Sequence, residues 1–294
     1  MKLLLFMPAP RLRGCLCILL LLSGMVVAQT PDPEPVEATP PDVSGLPLDD
    51  FTHREVIDQH QVLKYAPVRE SDILWEKRLW RIIDIREKMN LPFAYPEAPL
   101  AYLFGEAALV GDLTVYDAAD DRFTQPLDAE TLGKTLFKTD TIITVDPVTY
   151  EETIKIVRNS INWADVKRFR LKEAWFFDTR TATLRFRILG IAPLINVTNG
   201  EGDFLYERPL FWVHYPSARP FLARQKAYTP GDNLSATITW EDLFEMRYFA
   251  SSVYKENNVY DRRLQDYLTG VDVLHQAANI DDALFNREHD LWSW

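Results

Sequence analysis

Two hydrophobic rhythms run along this chain, and where each occurs predicts its elements. From Ser71 to Asn90 the apolar positions Trp75, Leu79, Ile82 and Met89 recur at helical spacing, with Ser71 or Asp72 as a cap and Leu91-Pro92 as a stop, so the pattern predicts one amphipathic helix. Asp84 and Lys88, four residues apart, add a favourable pair on its wet side. A shorter helix is expected from Leu100 to Val110, ended by Gly111, followed by a strand from Leu113 to Tyr116 and an acidic loop from Asp117 to Arg122.

The middle of the chain turns to the period-two rhythm of strands. Thr141–Val145 and Thr153–Val157 flank Asp146-Pro147 as a hairpin. Asn159-Ser160 offers a cap for a short helix over Trp163–Arg170. Trp175–Asp178 and Leu184–Ile191 read as a second hairpin, in which Arg185 and Arg187 alternate with Phe186 and Ile188, and Pro209–Tyr215 as a further strand. Helical spacing then returns. Thr239-Trp-Glu-Asp242 has the form of a capping box, with Leu243, Met246, Ala250 and Val253 continuing one face. Helices are also expected over Tyr260–Leu268 and from Val271 to the end, the latter with Leu274, Ala277, Ala278, Leu284 and Leu291 as contacts. The sum is an α+β fold: central short strands and hairpins, with helices at both ends of a single compact domain spanning 51–294.

Composition changes the picture mainly at the amino end. Lys2, Arg11 and Arg13 precede the apolar run Leu16–Ala28, which closes on the small residues Val26 and Ala28, so residues 1–28 are expected to be a signal peptide cut after Ala28. That run is shorter than the roughly 18 residues needed to span a bilayer. The competing reading, a lipid anchor on Cys15 or Cys17, is disfavoured because the apolar run follows these cysteines. Both cysteines leave with the leader, which removes thiol catalysis, iron–sulfur clusters and Cys-based zinc from consideration for the remainder. Residues 29–50 hold six prolines, six acids and no Lys or Arg, a composition expected to form a disordered acidic tether. The formal net charge of −11, with no long basic run, argues against nucleic acid as a partner.

Candidate chemistry is sparse. No GxSxG elbow, HExxH helix motif or phosphate-binding GxxxxGK[ST] loop occurs. His53 and His60 would need metal ligands from elsewhere in the chain. Glu288-His289-Asp290 is a dense acid/base cluster, yet neighbouring helical residues point apart, and an anchoring role for Phe285, Leu291 and Trp292 fits better. Asp117, Asp120 and Asp121 lack the Gly and Glu of a calcium loop. The expectation is therefore no catalytic residue, metal or cofactor.

Four segments carry a resemblance. RESDILWEKRLWRIIDIREKMNLPFAYP (69–96), LTVYDAADDRFTQPL (113–127), FEMRYFASSVYKENNVYDRRLQDYLTG (244–270) and LFNREHDLW (284–292) resemble the gliding motility protein GldN family, also called PorN, of the type IX secretion system. The resemblance implies a periplasmic, non-enzymatic subunit that joins the lipoprotein GldK/PorK in a ring beneath the outer membrane. It further implies several copies per ring and contact with the periplasmic part of the motor protein GldM/PorM. A periplasmic cell-wall hydrolase and a carbohydrate-binding protein using exposed Trp are the alternatives. The partner contact is expected to use Arg78, Arg81 and Arg86, which flank the apolar stripe of the first helix, so that exchanging all three for Glu leaves the fold intact.

Overall fold

The segment from Ile73 to Asp84 is a strand, not a helix, and it lies inside a sheet. The computed structural model describes residues 59–145, 152–198, 203–228 and 238–292, all within one compact unit running from His53 to Trp294. The expected leader (1–28) and tether (29–50) fall outside the described residues. Nine strands are described: β1 (Ile73–Asp84), β2 (Val115–Tyr116), β3 (Phe137–Val145), β4 (Glu152–Ser160), β5 (Arg168–Asp178), β6 (Thr183–Thr198), β7 (Phe204–Pro209), β8 (Trp212–His214) and β9 (Ser252–Glu256). The helices are α1 (Leu100–Val110), α2 (Ala129–Leu136), α3 (Tyr215–Leu222), α4 (Trp240–Glu245) and α5 (Val271–Trp292). The fold is α+β, as the sequence indicates.

Seven strands form an antiparallel sheet in the order β2-β8-β6-β5-β1-β9, with β7 also pairing β6, while β3 and β4 pair with each other alone. β1 pairs β5 from Ile73↔Asp178 to Asp84↔Arg168. Alternation then sends Trp75, Lys77, Leu79, Arg81 and Ile83 to one face and Glu76, Arg78, Trp80, Ile82 and Asp84 to the other. Both faces are covered over the second half of β1, so Leu79, Trp80, Arg81 and Ile83 are all buried. A strand covered on both sides reads as a nearly continuous apolar run, which also satisfies helical spacing. β-branched Ile82 and Ile83 and the two Trp favour the extended form, and pairing on both edges decides it.

The first face carries the main core. Ile83, Phe169, Leu171 and Ile191 from the sheet meet Phe93, Phe104, Tyr215, Trp240 and Phe244. Phe93 is the aromatic hub, with its ring centroid 5.5 Å from Phe169, 5.1 Å from Trp240 and 5.8 Å from Phe244. Further along this face α5 lays Ala277, Ile280 and Leu284 against Leu79 and Val253. The final helix thus forms where the spacing predicts and buries Ala277 and Leu284 as expected, with Ile280 added to the stripe, whereas Leu274, Ala278 and Phe285 face solvent, Phe285 with 73% exposed. Phe285 is therefore not an anchor, and the side chains of Leu291 and Trp292 lie outside the described residues.

The second face carries Trp80, Ala192, Trp212 and Tyr254 and is covered partly by the acidic loop, whose Phe123 packs against them. Gly190 makes that cover possible, because a methyl there would collide with the Phe123 ring and approach the Val213 carbonyl at 3.2 Å.

Several local expectations hold. α1 ends on Gly111 in the left-handed conformation (φ 93°), and α4 starts with the Thr239/Asp242 capping box, each main-chain N–H donating to the other's side chain at 3.0 and 3.2 Å. Both hairpins form, and that of β5 and β6 is longer than predicted. Three helices are shorter than predicted. Trp163–Asp165 is one 3₁₀ turn capped by Asn162, after which Arg168 enters β5. Leu264–Asp266 is another. α4 stops at Glu245 because Arg247 turns left-handed (φ 52°) to reach the buried carboxylate of Glu173 at 2.5 Å, so Val253 belongs to β9 and not to a helix face.

Candidate functional site

The three arginines chosen from sequence all lie on or just after β1, and the strand separates their fates. Arg81 points to the core face and is 6% exposed. Its guanidinium donates from Nη1 and Nη2 to the two Asp281 carboxylate oxygens at 2.7 and 3.1 Å, and from Nε to Ser251 Oγ at 2.9 Å. This fork ties β1 to α5 and leaves Arg81 no freedom to meet a partner. Its premise, the outer side of a helix, is corrected by the strand. Arg78 and Arg86 are exposed, Arg78 with Nε 3.4 Å from Glu76 and Arg86 clamped on Asp84.

Asp84 begins an ionic chain at the end of β1. It accepts from Arg86 and from Arg168 Nε at 3.1 Å, and Arg168 Nη1 continues to Glu207 at 2.9 Å. Hydrogen bonding from Arg86 is the largest cause holding the Asp84 carboxyl well below the usual carboxylate range. Because the folded pKa is depressed, the stabilisation is present above the unfolded value near 4 and is lost as pH falls below it. Asp84→Asn is therefore expected to flatten the decline of melting temperature below about pH 4. An unchanged acid limb in thermal scans of the variant would show that other carboxylates dominate.

The acidic loop covers the second face of the sheet. Asp120 accepts from the main-chain N–H of Arg122 and Thr124 at 2.9 and 2.7 Å and from the Thr124 hydroxyl, contacts that lower its pKa to about 2, the hydroxyl's contribution being largest. Asp121 takes the Trp80 indole N–H at 2.9 Å, and its carbonyl takes Lys172 Nζ at 2.5 Å. Lys172 in turn lies 5.4 Å from the Trp80 ring centroid and 5.5 Å from that of Phe123.

A polar clasp that sequence spacing did not reveal joins the segment before β1 to α3 and α4. Arg219 is bonded through Nε and Nη2 to Glu241 Oε1 at 3.0 and 2.5 Å, both side chains buried. Glu245 Oε1 accepts from the hydroxyls of Tyr65 and Tyr215 at 2.5 and 3.0 Å, and Arg219 stacks 4.0 Å over the Tyr65 ring. Burial, then the bond to Glu245, raises the Tyr65 hydroxyl pKa far above its ordinary value. His60 is brought here as well, its ring nitrogen and the carboxylates of Glu241 and Asp242 lying within 4.8 Å of one another. Those carboxylates already serve Arg219 and Thr239, so the geometry is that of a clasp. The partners are up to 180 residues apart, which is why no local motif announces them.

Glu288-His289-Asp290 sits in the last turns of α5, where His289 and Asp290 are exposed. A groove of about 660 Å³ is lined by Phe93, Pro96, Pro99, Tyr102, Trp163 and Phe169 among others, and its lining holds one carboxylate, Glu97, which accepts from Tyr95. Of the Trp residues whose burial is described, Trp80, Trp212 and Trp240 are buried and Trp75, Trp163 and Trp175 half-buried. No helix among the described residues is long and apolar enough to cross a membrane.

No curated protein matches the sequence. The family model described as gliding motility associated protein GldN matches residues 68–293, from the last residues before β1 to the end of α5. That span includes the sheet, both cores and all five helices, so this chain belongs to the GldN family and is associated with gliding motility.

Proposed function

We propose that this chain is a non-enzymatic, periplasmic structural subunit of the type IX secretion and gliding machinery. In this reading several copies assemble with a GldK/PorK-like lipoprotein into a ring beneath the outer membrane, and the ring meets the periplasmic part of a GldM/PorM-like motor protein. The observation that carries the reading is the family match across the folded unit. The chemistry of the surface is compatible with it. A glycosidase of the usual kind needs two free carboxylates facing each other across a cleft; the groove beside Phe93 has Glu97 alone, and in the smaller groove lined by Asp84 and Glu87, Asp84 is already engaged by Arg86 and Arg168. Sugar binding by stacking needs an exposed Trp, and none of the six described Trp is exposed.

The exposed arginines Arg78, on β1, and Arg86, in the turn just after it, remain the candidate contacts to the lipoprotein. The double variant Arg78→Glu/Arg86→Glu is expected to fold as wild type by circular dichroism and to recover less lipoprotein when purified by affinity tag from the native envelope. Recovery at the wild-type level from a folded double variant would remove this face from the contact.

A further inference from the structure

Three cations stand in a row on the second face of β5, at Arg168, Arg170 and Lys172. The outer two are matched. Arg168 is paired with Asp84 and Glu207, and Lys172 with Asp121. The middle one is not. Arg170 Nε is buried without a hydrogen-bond partner, and the guanidinium has no ion pair among the described residues; its one specific contact is the Tyr254 ring, 4.8 Å from the centroid. Arg263, exposed and likewise without an ion pair there, lies 5.6 Å from the same centroid. Burial is the largest cause lowering the Arg170 pKa and Arg263 adds to it, while Tyr254, Glu207 and Asp121 act in the opposite sense.

A half-buried guanidinium with an orphaned N–H is costly, and proteins ordinarily give such a group a carboxylate. This chain has an excess of acids, 43 Asp and Glu against 32 Lys and Arg, yet none bonds Arg170 directly: Glu207 and Asp121, which pair with its neighbours, act on it only at longer range. Arg170 itself is central in the sheet, flanked by Ile82 on β1 and Ala192 on β6, while Arg263 reaches it from just before the 3₁₀ turn Leu264–Asp266.

We infer that Arg170 and Arg263, gathered on Tyr254, form a binding site for a single carboxylate carried by an acidic side chain or chain terminus of a protein partner. Two guanidiniums near one ring provide forked donors for a planar anion. The flanking carboxylates Asp84, Glu207 and Asp121 limit what can enter. A phosphate dianion or a polyanion would be repelled by them, whereas one carboxylate completes the alternation of charge along the face. The assignment does not depend on the family reading.

Thermal unfolding of the full chain at pH 7 tests this, in sodium acetate, sodium phosphate and sodium chloride at equal ionic strength. The wild type is expected to melt a few degrees higher in acetate than in chloride. Arg170→Met, which keeps the apolar stem and removes the orphan, is expected to melt in chloride at or above the wild-type temperature and to lose the acetate increment. Arg263→Met, a surface change that leaves the core intact, is expected to lose most of the same increment, and it decides the matter should the Arg170 variant not fold. Equal melting of wild type in acetate and chloride would overturn the site, as would an undiminished acetate increment in Arg263→Met. Stabilisation by phosphate but not acetate would overturn the carboxylate assignment.

Discussion

Arg81→Glu is expected to unfold this protein or to remove most of its stability margin. The substitution takes away a forked ion pair on a side chain that is 6% exposed and places a carboxylate against Asp281. Because Asp281 is 40% exposed, loss of the pair alone costs less than the ~3–5 kcal/mol of a fully buried pair; the larger cost is the new carboxylate, buried at position 81 with no cation and facing Asp281. A domain of this kind has only about 5–15 kcal/mol in total. Urea denaturation of purified protein reads the loss directly as a lower midpoint. Arg78→Glu or Arg86→Glu, on exposed side chains, is expected to change the midpoint by no more than about 1 kcal/mol equivalent. A triple variant of all three arginines therefore tests folding and not binding. Arg81→Glu folding with a wild-type midpoint would mean that the fork to α5 contributes nothing.

The second large effect is expected at the clasp. Arg219→Ala leaves Glu241 buried and charged without its guanidinium, and it removes the surface on which the Tyr65 ring rests. About 3–5 kcal/mol is the expected loss. Because Tyr65 belongs to the segment before β1, the variant should also free that segment, which faster amide exchange around Tyr65 would report. Tyr65→Phe separates the two contributions: it keeps the stacking and loses one bond to Glu245, with an expected cost of about 1–3 kcal/mol. If Arg219→Ala left both midpoint and exchange unchanged, the clasp would not hold that segment.

How far these effects could be anticipated from sequence varies by element. Gly111 and the Thr239/Asp242 box announced their helix termini because capping is local chemistry between residues a few positions apart. The hairpins were legible from alternation flanked by turn residues. β1 was misread because a central strand covered on both faces loses the alternation that marks a half-exposed one, while Trp75, Leu79 and Ile82 fit a helical stripe equally well. α4 was overextended because its end is set by Glu173, more than 70 residues earlier, which captures Arg247. α5 forms as expected and buries Ala277 and Leu284 as expected, but Val273 and Ile280 complete the stripe in place of Leu274 and Ala278, since either set fits helical spacing around Ala277 and Leu284. Site chemistry followed the same rule. Helical spacing pairs Asp84 with Lys88, whereas on the strand Asp84 holds Arg86 and Arg168; the Arg81–Asp281 fork spans 200 residues, and the unmatched Arg170 is visible only once the sheet puts its neighbours' carboxylates elsewhere.

The proposed role as a ring subunit is tested most directly by the size and content of the assembly that holds the native protein. Affinity isolation of the tagged full-length chain from gently solubilised envelopes, followed by native mass measurement and crosslinking mass spectrometry, gives both at once. A large particle with many copies of this chain, crosslinked to an outer-membrane lipoprotein, is the predicted result. Recovery as a free monomer without lipoprotein, in fractions that cleave peptidoglycan, would contradict it.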